Sequence, residues 1–257
     1  ESWLVSINNA QLRWVKSLAK KSARVESGRF FAEGSQSLRV LSKKQYWLEN
    51  IYLTENFMVA NQALVSEFKP NLIEEVTDQQ IQRMADASTP QGAMAICKLP
   101  TKEPSVTGNP VVMLEQVSDP GNLGTIIRTA DASGAGTILV GLGSADAFSP
   151  KVVRSSAGSI FNVDLMQNLD MESAIEQVKS FGYQVFAADS SGVDFRQGDF
   201  SSKHAWLLGN EAHGLESELL ARSDKTFSLP LAGEAESLNL SVAAGILLYH
   251  SGFHQQG

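Results

Sequence analysis

The sequence predicts an α/β protein in two parts: a small α/β domain over residues 1–100 and an open α/β domain with a mainly parallel sheet over 110–257. Throughout 110–257, apolar runs alternate with amphipathic helical stretches, the order in which parallel strands are joined by covering helices. Ahead of that region, Leu99-Pro-Thr-Lys-Glu-Pro-Ser-Val-Thr-Gly-Asn-Pro110 has no apolar period and is rich in Pro, Thr, Ser and Gly, so 101–109 reads as a linker. A chain of 257 residues, 43% hydrophobic and 19% charged, is long enough for two cores and contains no apolar run near the roughly 20 residues that cross a bilayer.

Asn8-Asn-Ala-Gln-Leu-Arg-Trp-Val-Lys-Ser-Leu-Ala19 puts Leu12, Val15, Leu18 and Ala19 on one face with Arg13, Lys16 and Lys20 elsewhere, which predicts an amphipathic helix. Phe30-Phe-Ala-Glu-Gly34 predicts a short strand leading into a helix through Leu38, Val40 and Leu41. Further strands are predicted at 51–54, 72–76 and 93–96, with helices near 57–67 and 78–86. Beyond the linker, strands are predicted at 111–117, 137–141, 160–166, 183–188, 205–209 and 225–229, and helices at 122–134, 149–157, 170–182 and 215–223. A final helix is expected over 239–253, with Leu238 at its entry and Val242, Ile246 and Tyr249 on the same face.

Charge is divided unevenly. Residues 1–50 hold nine Lys and Arg against four acids, while the whole chain carries −7. A basic amino-terminal module on an acidic remainder suits contact with phosphates. The single cysteine, Cys97, lies in the apolar run Ala93-Met-Ala-Ile-Cys-Lys98 and is expected to be a buried thiol in a reducing compartment. Glu1-Ser-Trp-Leu-Val-Ser lacks the basic start and apolar stretch of a secretory signal, so a cytoplasmic location is expected. His204, His213, His250 and His254 show no ligand spacing, and no metal is expected.

Three blocks carry the chemistry. In Leu114-Glu-Gln-Val-Ser-Asp-Pro-Gly-Asn-Leu-Gly-Thr-Ile-Ile-Arg-Thr-Ala130 an apolar strand breaks at Asp119-Pro-Gly121 and restarts as a helix. Such a turn leaves main-chain donors open at the helix start. Arg128 falls two turns into that helix. After the strand Ala205-Trp-Leu-Leu208 comes Gly209-Asn-Glu-Ala-His-Gly-Leu215, whose glycines permit a tight turn and close approach to a ligand. The third block, Leu229-Pro-Leu…Glu236-Ser-Leu-Asn-Leu-Ser-Val242, joins a strand to a loop and the loop to the apolar last helix, with Ser237 as a candidate cap. A fourth segment, Ser149-Pro-Lys-Val-Val-Arg-Ser-Ser-Ala-Gly-Ser-Ile-Phe161, lies between the first two.

In this order and at this spacing the blocks resemble the signature motifs of the SpoU (TrmH-type) RNA 2′-O-ribose methyltransferases, of the SPOUT superfamily. The resemblance covers 111–250 and, more weakly, the amino-terminal region. It implies a trefoil-knotted methyltransferase domain preceded by a small α/β RNA-binding domain, S-adenosyl-L-methionine as cofactor, and a homodimer formed through the methyltransferase domain. The implied reaction is methyl transfer to a ribose 2′-hydroxyl of structured RNA, ribosomal RNA being favoured over tRNA. Asn122, Arg128, Glu211, Ser237 and Asn239 are then the catalytic candidates; Gly209, Asn210, Leu229, Leu231 and Leu238 the cofactor-binding ones; and Arg154, Ser156, Arg13, Lys16 and Lys20 the RNA-binding ones. A guanidinium is always protonated, so Arg128 is expected to stabilise a developing alkoxide rather than to abstract a proton. Ala212 stands where the family commonly has Gly, and Glu115 where Asp is common.

A dinucleotide-binding fingerprint at Ser133-Gly-Ala-Gly-Thr-Ile-Leu-Val-Gly141 fails, because its glycines follow a helix and Leu139 occupies the third glycine position. No Gly-x-Ser-x-Gly elbow supports a hydrolase. A tRNA methyltransferase, or an RNA-binding protein of this fold without catalysis, remain the alternatives.

Overall fold

The computed structural model describes residues 7–101 and 106–253. Glu1-Ser-Trp-Leu-Val-Ser, the linker residues 102–105 and His254 lie outside the described residues. Contacts divide the chain into two units: Glu1–Lys102 with Phe148–Phe161, and Glu103–Ala147 with Asn162–Gly257. The segment 148–161, expected within the second domain, therefore groups with the first unit.

In the first unit, α1 (Asn9–Ser17) starts with a capping box in which Asn8 Oδ1 accepts from the Gln11 amide at 2.9 Å and Gln11 Oε1 accepts from the Asn8 amide at 3.0 Å. An unexpected helix, α2 (Lys21–Ser27), follows. It is hard to see in the sequence because its pattern is inverted: Arg24 is buried and Val25 exposed. Arg24 Nη1 donates to the Leu18 and Ala19 carbonyls at 2.7 and 2.8 Å, closing the carboxyl end of α1. Next come β1 (Arg29–Glu33), α3 (Ser35–Leu41), β2 (Leu48–Leu53), α4 (Glu55–Ala60), α5 (Gln62–Val65), β3 (Ile73–Glu75), α6 (Asp78–Met84) and β4 (Ala93–Lys98). The helix expected over 57–67 is two, interrupted at Asn61, whose side chain donates to the Phe57 carbonyl at 3.0 Å. The sheet has the order β1-β4-β2-β3, antiparallel except for β2 with β3. Cys97 is fully buried on β4, and burial pushes its thiol well above the usual range.

The second unit begins with β5 (Val111–Leu114), α7 (Pro120–Ser133) and β6 (Thr137–Gly141). The chain then visits the first unit as α8 (Pro150–Ser155) and a 3-10 turn at Ser159–Phe161. A strand was expected from residue 160, but Phe161 packs among Phe30 and Trp47, and β7 (Asp164–Leu169) starts only afterwards. There follow α9 (Met171–Ser180), β8 (Gln184–Asp194), β9 (His204–Leu208), α10 (Ser217–Arg222), β10 (Lys225–Ser228) and α11 (Leu240–Phe253). The six strands are ordered β10-β8-β9-β5-β6-β7 and every neighbouring pair is parallel. Strands β5, β6 and β9 are buried along their whole length, as continuous apolar runs require in a sheet covered on both faces. An aromatic cluster of Phe186, Phe200, Trp206 and Phe227 fills one side, and Trp206 Nε1 donates to Ser251 of α11 at 2.9 Å. Each large side chain buried there contributes on the order of 1.5–3 kcal/mol.

Candidate active site

The sheet order puts the first two blocks side by side. Strands β5 and β9 pair from Val111–Ala205 to Leu114–Leu208, and the Glu115 amide continues the ladder to the Leu208 carbonyl at 2.9 Å. The loops leaving both strands thus emerge together at the carboxyl edge, where ligands of parallel sheets bind. The third block arrives differently. Strand β10 lies at the sheet edge beyond β8, and α11 returns to pack on α7.

Helix α7 starts with Asp119, whose Oδ1 accepts from the Asn122 amide at 2.7 Å, and with Pro120 at its first position. This cap fixes Asn122 in the first turn. Asn122 Nδ2 donates to Glu211 Oε1 at 3.1 Å, and its Oδ1 accepts from Asn239 Nδ2 at 3.0 Å. Ser118 Oγ lies 3.5 Å from Glu211 Oε2. Residues from all three blocks, Ser118 and Asn122 from the first, Glu211 from the second and Asn239 from the third, are therefore joined in a single string of side-chain hydrogen bonds. Its direction is dictated at one end: Asn239 Oδ1 accepts from the Ser241 amide at 2.9 Å, which leaves only Nδ2 to face Asn122. Asn239, and not Ser237, caps α11; it directly precedes the first helical residue, whereas Ser237 lies two residues further upstream. Ser237 is exposed and forms no hydrogen bond among the described residues.

The second loop is held from within and by its neighbour. Asn210 Oδ1 accepts from the Ala212 and His213 amides at 2.8 and 3.1 Å, while its Nδ2 donates to the Gln116 carbonyl at 2.8 Å. Backbone bonds between Asn210 and Gly214 close the turn. Gly209 is required by close approach: a Cβ there would collide with the Gly214 carbonyl and the Leu215 amide. Gln116 adopts a left-handed backbone, φ 50°, which turns its carbonyl toward Asn210. Next to it, burial raises the Glu115 carboxyl above the usual range, reinforced by Glu216 and Asp170 and opposed by a hydrogen bond to Gln116. Glu115 Oε2 has no partner among the described residues and rests against Gly141.

Arg128 is exposed on α7 and makes no ion pair among the described residues. The loop from Pro230 to Asn239 is exposed throughout, Leu231 and Leu238 included, and Leu229 is half-buried. The expected RNA contacts divide. Arg13 and Lys20 are exposed and unpaired among the described residues, but the Lys16 ammonium is taken by the Ala85 carbonyl. Arg154 faces Glu33 at 3.2 Å and Asp86 at 3.3 Å. Ser156 is fully buried and its hydroxyl donates to the Val153 carbonyl at 2.8 Å, so it presents nothing to a phosphate. Ser118, Gln116 and Asp119 were not singled out from the sequence as site residues. Asp119-Pro120 is legible as a helix start, whereas nothing marks Gln116 for a left-handed backbone.

Residues 109–249 match the SpoU rRNA Methylase family, and residues 9–95 match the MRM3-like substrate binding domain. The chain is 32% identical over 246 residues to the 23S rRNA (guanosine(2553)-2'-O)-methyltransferase RlmP of Bacillus subtilis, taking in 95% of this chain and 97% of the relative. The AdoMet-bound rRNA methyltransferase from Sinorhizobium meliloti is similar in structure with a TM-score of 0.84 at 31% identity, over 97% of this chain and 96% of that one. The SpoU methyltransferase AviRb from Streptomyces viridochromogenes, in complex with the cofactor AdoMet, gives a TM-score of 0.83 at 25% identity, over 97% and 99%. The chain belongs to the SpoU rRNA methylase family.

Proposed function

We propose that this enzyme transfers a methyl group from S-adenosyl-L-methionine to the 2′-hydroxyl of a nucleotide in ribosomal RNA. The observation that carries the reading is the string Ser118–Glu211–Asn122–Asn239, which ties the three blocks together at the carboxyl edge of the sheet. Ribosomal RNA is preferred to tRNA because a relative that matches almost end to end bears an rRNA methyltransferase name.

The residues present fit the cofactor. Gly209 lets the loop cross closely over Gly214 and Leu215, which shapes its main-chain groups for a nucleoside, while Leu229 and the exposed Leu231 and Leu238 offer apolar contact. When bound, S-adenosyl-L-methionine supplies an electrophilic methyl group on a sulfonium. Asn210, with its oxygen spent on the loop's own amides and its nitrogen on the Gln116 carbonyl of the neighbouring loop, acts by holding the main chain of 210–214 in shape and in place. Glu211 brings negative charge to the cofactor side and anchors Asn122. Asn122 and Asn239 orient the ribose, and Ser237, two residues before Asn239, adds a hydroxyl to this loop. Arg128 clamps the adjoining phosphate and stabilises the alkoxide as it develops, the proton leaving to a phosphate oxygen or water. Arg13 and Lys20 hold RNA backbone on the first unit, joined by Arg154 if phosphate displaces its two carboxylates.

The same reading extends to assembly and threading. Val242, Ile246 and Tyr249 are 50%, 38% and 45% exposed on α11, opposite buried Ala244, Leu247 and Leu248. An apolar stripe of this kind suits a homodimer formed through the second unit. Strand β10 ends at the outer edge of the sheet, yet α11 packs on α7 and β9; this return across the sheet supports the family's knot. A buried, inert thiol fits a reducing cytoplasm.

The test is mass spectrometry of rRNA fragments from a strain lacking the protein, paired with methyl transfer by purified protein to the unmodified rRNA. Loss of one 2′-O-methylated fragment and its restoration in vitro are expected. Transfer to tRNA alone would redirect the substrate, and absence of S-adenosyl-L-methionine binding by calorimetry would leave an RNA-binding protein without catalysis.

A further inference from the structure

On the first unit, the short 3-10 turn Gln45–Trp47 holds up one exposed aromatic ring, Tyr46, at 73% exposure. Its position is not that of a loose surface side chain. The Tyr46 ring rests on Trp47 with centroids 6.1 Å apart and planes 31° from parallel. Trp47 in turn meets Phe161 edge-on at 5.5 Å and Phe30 at 6.3 Å, and both phenylalanines are buried. Tyr46 is therefore the outermost ring of an anchored aromatic stack, with most of its surface turned to solvent.

The stretch of chain that carries it has charge of one sign. From Gly34 to Leu48 the chain contains Arg39, Lys43 and Lys44 and no acid. Arg39 and Lys43 are exposed and have no ion-pair partner among the described residues, while Lys44 donates to the Phe161 carbonyl at 2.9 Å. The flanking acids are engaged: Glu33 with Arg154, and Glu49 with Arg29. Gln45 reaches the Glu67 carbonyl at 2.7 Å and the Lys69 amide at 3.3 Å, so the acid at 67 comes with a cation at 69.

An exposed ring backed by a buried aromatic cluster, with unpaired cations in the same stretch of chain, has the chemistry of a single-stranded nucleic-acid contact: a base stacks on the ring and the neighbouring phosphates meet the cations. A continuous duplex keeps its base faces covered and has nothing to lay on Tyr46. We propose that Tyr46, with Arg39 and Lys43 of the same basic stretch, is a stacking site for an unpaired base of the RNA substrate, in a loop or bulge. This rests on the reading of the protein as an RNA methyltransferase and adds an element the basic residues of α1 do not supply, recognition of an unstacked nucleotide.

The probe is a single-stranded RNA of about eight nucleotides carrying one 2-aminopurine, compared with an RNA duplex of equal length. With the full-length protein, binding of the single strand is expected to quench the probe. Tyr46→Ala should weaken single-strand binding about tenfold and abolish the quench, Tyr46→Phe should retain both, and duplex binding should be unchanged in either. Arg39→Gln with Lys43→Gln should flatten the salt dependence of single-strand binding while leaving the quench at saturation. Unchanged single-strand affinity in a folded Tyr46→Ala protein that still methylates RNA would overturn the stacking site and leave the activity standing. Loss of self-association in that variant, with RNA affinity intact, would overturn it in favour of a contact between copies. Absence of methyl transfer and of RNA binding by the unaltered protein would remove the underlying reading instead.

Discussion

Asn239 performs two tasks with one amide. Its oxygen caps α11 through the Ser241 amide and its nitrogen points Asn122 toward Glu211. The tasks separate by substitution. Asn239→Ser retains a capping oxygen but cannot reach Asn122, so melting should stay near that of the unaltered protein while methyl transfer falls; Asn239→Ala should lose about 1 kcal/mol of stability as well. Equal transfer rates for Asn239→Ser and the unaltered protein in single-turnover assays would mean the string is not used. Arg128→Ala should slow methyl transfer by about 10²-fold or more with little change in cofactor affinity, and Arg128→Lys should recover only part, lacking the planar two-pronged contact. Measuring single-turnover rate and cofactor titration side by side separates chemistry from binding. At this scale the sequence spoke through motifs: Asn122, Glu211 and Asn239 lie far apart in the chain and are brought within hydrogen-bonding distance. Ser156 shows the opposite case, since a small polar residue in a helical stretch gives no sign that packing has enclosed it.

Among the elements, the loop after β9 leaves little room for change. Gly209→Ala forces apart the crossing of Gly209 with Gly214 and Leu215, and is expected to lower cofactor affinity about tenfold or more with modest change in fold, read by calorimetry and melting. Strand β9 also carries a titratable core group. His204 is buried between Phe186 and Phe200, and burial lowers its pKa below the ordinary 6.5, against a hydrogen bond to the Ser202 carbonyl that raises it. The unfolded imidazole thus takes up a proton at higher pH than the folded one. Stability is full above about 6.5 and lost as pH falls through the lowered value, so denaturant midpoints should drop in that window, and His204→Phe should flatten the drop. An unaltered slope in the variant would assign acid sensitivity elsewhere. The elements legible beforehand were those with an undivided apolar run, such as β5, β6, β9 and α11, or a capped amphipathic face, such as α7. The expectation failed where a buried polar group inverted the pattern, as Arg24 does in α2, or where apolar residues served another surface, as Ile160 and Phe161 do.

For the molecule as a whole, the exposed stripe on α11 leads to a direct test. Val242→Glu with Ile246→Glu should convert a dimer to a monomer in light scattering at micromolar concentration, without unfolding, because neither side chain is part of the buried core. A monomer before substitution would end the proposal. The division of the chain was legible only in part. The polar stretch before Pro110 announced a boundary, but nothing in the composition of 148–161 separates it from the sequence on either side. Its allegiance comes from Phe148 and Phe161 lying against Phe30, and from Arg154 meeting Glu33 and Asp86. The first unit is consequently written in two pieces of the gene. Exchanging substrate modules between relatives of this family by a single crossover near residue 102 would leave the incoming module without its second piece and strand Phe148 and Phe161 opposite foreign residues. A working chimera has to carry both pieces from the same parent, so the two stretches should be inherited and diversify as a linked pair although more than forty residues of the other unit lie between them.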